Sequence, residues 1–189
     1  METHEELDAV LADLGDLLAA AAHTPAGAVT PCTDFDFATL RQHVVGWMSA
    51  FTEGFSADDH QCGDAEAVVV VGDGSDQVCD LRARLAQVLP AAAEHPVRIG
   101  DAEMPGGMSL SMILWEYQVH GWDLARAAGM DWRPAESGVN ESLRFAPTML
   151  TPDYQGEGKT FAPAVDVAND APAIDRLVAM SGRDPKWSA

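Results

Sequence analysis

Apolar positions recur at helical spacing in four long stretches of this chain, and polar residues fill the turns between them. Leu7, Val10, Leu11, Leu14, Leu17, Leu18 and Ala21 trace one face of a helix running to about Ala22. It opens on Thr3-His4-Glu5-Glu6, a Thr followed three residues later by Glu, the form of a capping box. Asp36 reads as the N-cap of a second helix, with Phe35 and Leu40 placed as a hydrophobic staple. That helix runs to about Gly54 and buries Phe37, Leu40, Val44, Trp47, Met48 and Phe51. Ser75 opens a third, with Val78, Leu81, Leu85, Val88 and Leu89 on its inner side and an end near Pro90. The fourth spans about Ser109 to Ala128, entered after Pro105-Gly106-Gly107 and closed by Gly129 as the residue after the cap.

Shorter pieces follow the same logic. Pro134 opens a fifth helical pattern through Val139, Leu143, Phe145 and Met149, and Ile174 to Met180 forms a sixth, stopped by Gly182. Strand signal is confined to short runs at Glu66–Val71, Val97–Ile99 and Phe161–Val167. The acidic stretch Asp58-Asp59-His60-Gln61-Cys62-Gly63-Asp64 carries ligand-type residues, but no periodicity aims them at a common point, and it reads as a solvated loop. The expected fold is all-α: an antiparallel four-helix bundle with two accessory C-terminal helices, forming one domain over residues 1–189.

Composition narrows the partners. Acidic residues outnumber basic ones 30 to 11, for a formal net charge of −19, and such a field repels nucleic acid and anionic lipid. The three cysteines, Cys32, Cys62 and Cys79, are widely spaced and contain no CxxC pair. The N-terminus lacks a basic secretory start and no long apolar run occurs, so a cytoplasmic protein with no membrane contact is expected, as monomer or homodimer.

The chemistry lies where the apolar stripe is interrupted. Glu116 and His120 sit one turn apart in the fourth helix among Ile113, Leu114, Leu124 and Ala127, and His43 interrupts the second helix between Leu40 and Trp47. Two imidazoles and a carboxylate suit Zn²⁺, with Fe²⁺, Ni²⁺, Co²⁺ and Mn²⁺ as competitors. Three protein ligands leave a position open, and a dication with one carboxylate keeps a charge of +1 that favours hydroxide or a thiolate there. A buried Glu–His–His hydrogen-bond network without metal satisfies the same pattern. Asp123, one turn past His120, reads as an imidazole-orienting partner or a surface carboxylate. Trp47, Trp115 and Trp122 read as core or pocket wall, and Cys32 as a reactive thiol or an inert small residue.

Three separated motifs carry a family resemblance: Thr30-Pro31-Cys32-Thr33-Asp34-Phe35 with Leu40-Arg41-Gln42-His43-Val44-Val45-Gly46, then Glu116-Tyr117-Gln118-Val119-His120-Gly121-Trp122-Asp123-Leu124-Ala125, then Leu177 through Pro185, ending Gly182-Arg183-Asp184-Pro185. The chain resembles the actinobacterial DinB-like metal-binding proteins, related to the N-terminal domain of mycothiol-dependent maleylpyruvate isomerase. The resemblance implies a DinB-type bundle, a divalent metal, usually zinc, on His43, Glu116 and His120, an actinobacterial cytoplasm, and mycothiol as thiol cosubstrate. It further implies a thiol bound at the open metal position as thiolate and attacking a small electrophile, as a transferase or a cis–trans isomerase. The isomerase carries a further C-terminal domain that helps form its active site, and these residues end at Ala189 without one, so maleylpyruvate itself is not the expected substrate. A metal-dependent hydrolase using metal-bound water, and a non-enzymatic metal-stabilised binding or stress module, are the alternative readings.

Overall fold

A computed structural model describes residues 2–189. The chain is mostly helical: α1 (Thr3–Ala20), α2 (Phe37–Ser56), α3 (Ser75–Val88), α4 (Gly106–Ala127), α5 (Glu136–Phe145) and α6 (Ala173–Met180). Its only paired strands among the described residues are β1 (Val97–Ile99) and β2 (Ala102–Met104), an antiparallel hairpin in which Arg98 faces Glu103. No described helix is long and apolar enough to cross a membrane.

Helix α4 is central because apolar residues surround it on nearly every side. Ile113, Leu114, Tyr117, Trp122, Leu124 and Ala125 are all buried, and α1, α2 and α5 pack around them. Helix α1 also packs on α3, α2 on α3, and α5 on α6. Close approach demands glycine at two points. A Cβ on Gly46 of α2 would come 2.2 Å from the Ala65 carbonyl oxygen, and one on Gly121 of α4 would come 2.4 Å from the Trp132 ring. Both glycines follow candidate ligands closely, so the two site helices are tightly packed within a turn of His43 and of His120.

The local rules mostly hold, and the departures have causes. Gly129 takes φ 68° two residues beyond α4, as a left-handed stop residue should. The box at the start of α1 is shifted by one: Glu2 N donates to Glu5 Oε2 at 2.9 Å, while the Thr3 hydroxyl bonds Glu141 on α5 and Glu6 turns inward. Helix α3 is entered from Gly74 at φ 85°, with Asp73 rather than Ser75 accepting the end-group bonds. Val68–Val71 pairs with no strand because two glutamines take its backbone groups. Gln42 bonds Val68 O and Val70 N, and Gln77 bonds Val69 O and Val71 N. Phe161–Val167 likewise forms no strand; Phe161 makes one isolated bridge to Gln155, and Val165 N donates to Ala179 O.

Candidate metal centre

Helix α2 begins where Asp36 caps it, accepting from Thr39 N at 2.8 Å and from the Thr39 hydroxyl at 2.6 Å. The cap sets the helix phase, which brings His43 to the side facing α4. Ahead of it the loop Thr30–Phe35 is pinned by one hydroxyl: Thr30 Oγ1 lies 2.8 Å from both Cys32 O and Phe35 O, which share its single proton. That turn puts the Phe35 ring 4.9 Å from the His43 ring.

Glu116 and His120 project from α4 toward His43. His43 Nε2 and Glu116 Oε1 are 3.1 Å apart, and the His43 and His120 rings meet edge-on, centroids 5.1 Å apart at 78°. One donor atom from each of the three lies within 4.8 Å of the others. Ligands bonded at about 2.0–2.2 Å to a tetrahedral zinc ion lie roughly 3.3 Å from one another, so shifts of ~1 Å would let these side chains share one ion. The donor chemistry therefore fits a divalent ion of the zinc type. It fits a hydrogen-bonded His43–Glu116 pair equally well.

His120 is held from behind. Its Nδ1 donates to Asp123 Oδ2 at 3.1 Å, which leaves Nε2 as the nitrogen able to meet an ion. Asp123 is fully buried and is not a surface carboxylate. Burial pushes its carboxyl up, but the His120 hydrogen bond and the nearby Arg183 charge outweigh this and hold it below the ordinary carboxylate value. Arg183, from the tail after α6, forks onto it through Nη2 at 3.0 Å and Nε at 3.4 Å.

A second trio, Cys32, His120 and Asp123, also has donor atoms within 4.8 Å of one another. It competes poorly. Asp123 Oδ2 already accepts from both His120 and Arg183, and burial pushes the Cys32 thiol up despite the Arg183 charge. An ion there would have to displace the guanidinium.

Above the ligands lies a cavity of about 410 Å³. Phe35, Met112, Trp115, Val119, Met149 and Phe161 make its apolar wall; Cys32, Thr33, Asp34 and Arg183 make its polar one. His43 and Glu116, 25% and 22% exposed, open onto it. Thr160–Ala162 of the long loop after α5 helps line the cavity, whereas no residue of the 56–74 loop does. Neither Trp47 nor Trp122 lines it. Trp47 stands edge-on to His43 with centroids 6.5 Å apart, and Trp122 is buried in the core beneath the Arg126 guanidinium. The tryptophan that does line it, Trp115, is fixed by donating Nε1–H to Ser181 Oγ at 3.1 Å.

Sequence reasoning missed Arg183 as a member of the site. The available signal was a single arginine after a glycine, in a chain with 11 basic residues, within the third of the stretches that carry the resemblance.

Two uncharacterised proteins of Mycobacterium tuberculosis, from strains CDC 1551 and H37Rv, are each 25% identical to this chain over 164 residues. The match covers 83% of this chain and 84% of theirs. No protein-family model matches the chain, and no solved structure does.

Proposed function

We propose that this chain is a divalent-metal-binding protein of the DinB-like kind, with α1–α4 as an antiparallel four-helix bundle and α5 and α6 as accessory helices. We further propose that it acts as a mycothiol-dependent thiol transferase or isomerase on a small electrophile. The observation that carries this reading is the meeting of His43, Glu116 and His120 beneath a cavity, with His120 already oriented by a buried carboxylate. The Mycobacterium relatives agree with the actinobacterial setting that mycothiol requires.

A dication on these three ligands would supply an open coordination position and lower the pKa of a thiol or water held there. The chain's own residues define what can approach. Met112, Val119, Met149 and Phe161 exclude water from one side of the cavity and favour an apolar electrophile. Glu116 is the one protein charge among the three ligands, so the loaded site keeps a net charge of +1, suited to an anionic nucleophile. Asp34, the other carboxylate on the cavity wall, is the specific feature that favours a second reading, hydrolysis with Asp34 as proton acceptor.

The test pairs elemental analysis of the purified protein with turnover. Zinc-loaded protein should consume mycothiol with monobromobimane faster than His43→Ala. Equal, slow consumption by both would remove the transferase reading. Turnover of ester or amide substrates without thiol would favour hydrolysis. Metal-dependent thermal stabilisation with no turnover would leave a metal-stabilised binding module.

A further inference from the structure

We infer that Arg183 is a positioning residue of the candidate metal centre, acting through Asp123 on His120, so that the tail after α6 completes the site. The inference rests on the metal-binding reading above and concerns a residue that touches no metal ligand directly by hydrogen bond.

The geometry begins with the tail. At Gly182 the chain turns with φ 84°, and a Cβ there would come 2.8 Å from Ala162 Cβ and 2.9 Å from Ala162 O. The turn is thus wedged against the loop that lines the cavity, and it sends Arg183 back toward α4. Arg183 Nη1 donates to Ser181 O at 2.7 Å, which locks the guanidinium plane, and Nη2 and Nε reach the two oxygens of Asp123. Further along, Arg126 of α4 bonds Trp187 O, so the tail is tied to the metal helix at two separate points.

Two physical consequences follow for His120. A single hydrogen bond from Nδ1 leaves the imidazole free to swing as its carboxylate partner rotates. The fork stops that rotation, because a guanidinium holding both oxygens fixes the carboxylate plane. Charge is the second consequence. Asp123 and Arg183 sum to zero, so Asp123 orients His120 without adding a second negative charge beside Glu116. Orientation and charge predict opposite signs for metal binding, which makes them separable. Removing a nearby positive charge by itself tightens the hold on a dication, whereas losing the ligand's orientation weakens it.

The experiment measures Zn²⁺ affinity by competition with a chromophoric chelator, with thermal melts confirming that each variant folds. Arg183→Gln is expected to raise the Kd for Zn²⁺ about tenfold, as outer partners of ligating histidines do. In an Asp123→Asn background the same change should add less than about threefold, since the route through Asp123 is already cut. Arg126→Gln, which loosens the tail elsewhere, should stay within about threefold of wild type. Arg183→Lys keeps the charge and loses the fork, so it has no charge gain to offset the lost orientation and its Kd should be at least as high as that of Arg183→Gln. It also serves if Arg183→Gln does not fold.

An unchanged or lower Kd in Arg183→Gln, full additivity with Asp123→Asn, an equal loss in Arg126→Gln, or complete rescue by Lys would each overturn the assignment while leaving the metal reading intact. Wild-type protein that takes up no Zn²⁺ would overturn both.

Discussion

Two pairs of imidazoles lie almost the same distance apart in this molecule, yet they are chemically unlike. His43 and His120 have ring centroids 5.1 Å apart and planes at 78°, with Glu116 and Asp123 hydrogen-bonded into the pair. His60 and His95 have centroids 5.0 Å apart and planes at 13°, a parallel stack beside a cavity of about 190 Å³ that no carboxylate lines. Nitrogen lone pairs lie in the ring plane, so stacked parallel rings do not aim them at a shared point, while crossed rings can. Proximity of histidines is therefore a poor criterion. Convergence, together with a carboxylate that fixes the second nitrogen, is the better one.

The largest expected effect separates the two pairs. His43→Ala or His120→Ala should weaken Zn²⁺ binding by more than about 100-fold, beyond what loss of an outer partner costs. His60→Ala and His95→Ala should leave it unchanged, as judged by chelator competition. If His60→Ala weakened binding equally, the convergence criterion would fail.

Next comes the buried support behind His120, which the stacked pair lacks. Asp123→Ala leaves the Arg183 guanidinium, 11% exposed, without its carboxylate, and should cost ~3 kcal/mol in urea unfolding of metal-free protein. The His60→Ala and His95→Ala changes, at a more exposed stack, should stay within about 0.5 kcal/mol.

The acid dependence of stability sharpens the same contrast. Burial raises the Asp123 carboxyl, but the His120 bond and the Arg183 charge outweigh this, so its folded value lies below its unfolded one. Its contribution is then complete above the unfolded carboxylate pKa, about 3.9, and is lost as pH falls through the folded value. Asp123→Asn should flatten the acid limb of the stability–pH curve for metal-free protein. An unaltered limb would mean that other carboxylates set it.

The mildest test uses the thiols. Burial, with Glu53 nearby, pushes Cys62 up to about 11, so at pH 8 roughly one part in a thousand is thiolate. Iodoacetamide should label exposed Cys79 well before buried Cys62, read by mass spectrometry. Rapid loss of the Cys62 thiol would show that its end of the molecule opens readily.

Much of this architecture was legible along the chain. The apolar periodicities of α1 to α4 mark real helices, Asp36 caps α2 as expected, and Gly129 stops α4. The strand-like turn at Val97–Ile99 is a hairpin strand. Local rules reach a few residues, and these features are settled within that reach. The rules failed where a distant group claimed a local one: Glu141 took the Thr3 hydroxyl, and Gln42 and Gln77 took the Val68–Val71 backbone.

The candidate site divides along the same line. Glu116 and His120 share a helix face by virtue of their spacing alone, so the sequence determined that an acid and an imidazole would point the same way. Only packing could decide that His43, 73 residues from Glu116, meets them, that Asp123 is buried rather than solvated, and that Trp115 lines the cavity while Trp47 and Trp122 do not. Packing also brought Arg183 across 60 residues to the back of His120. Helical geometry ties neighbours four apart with one backbone period; contacts across such separations are fixed by how whole faces of helices fit together, and no local pattern encodes that fit.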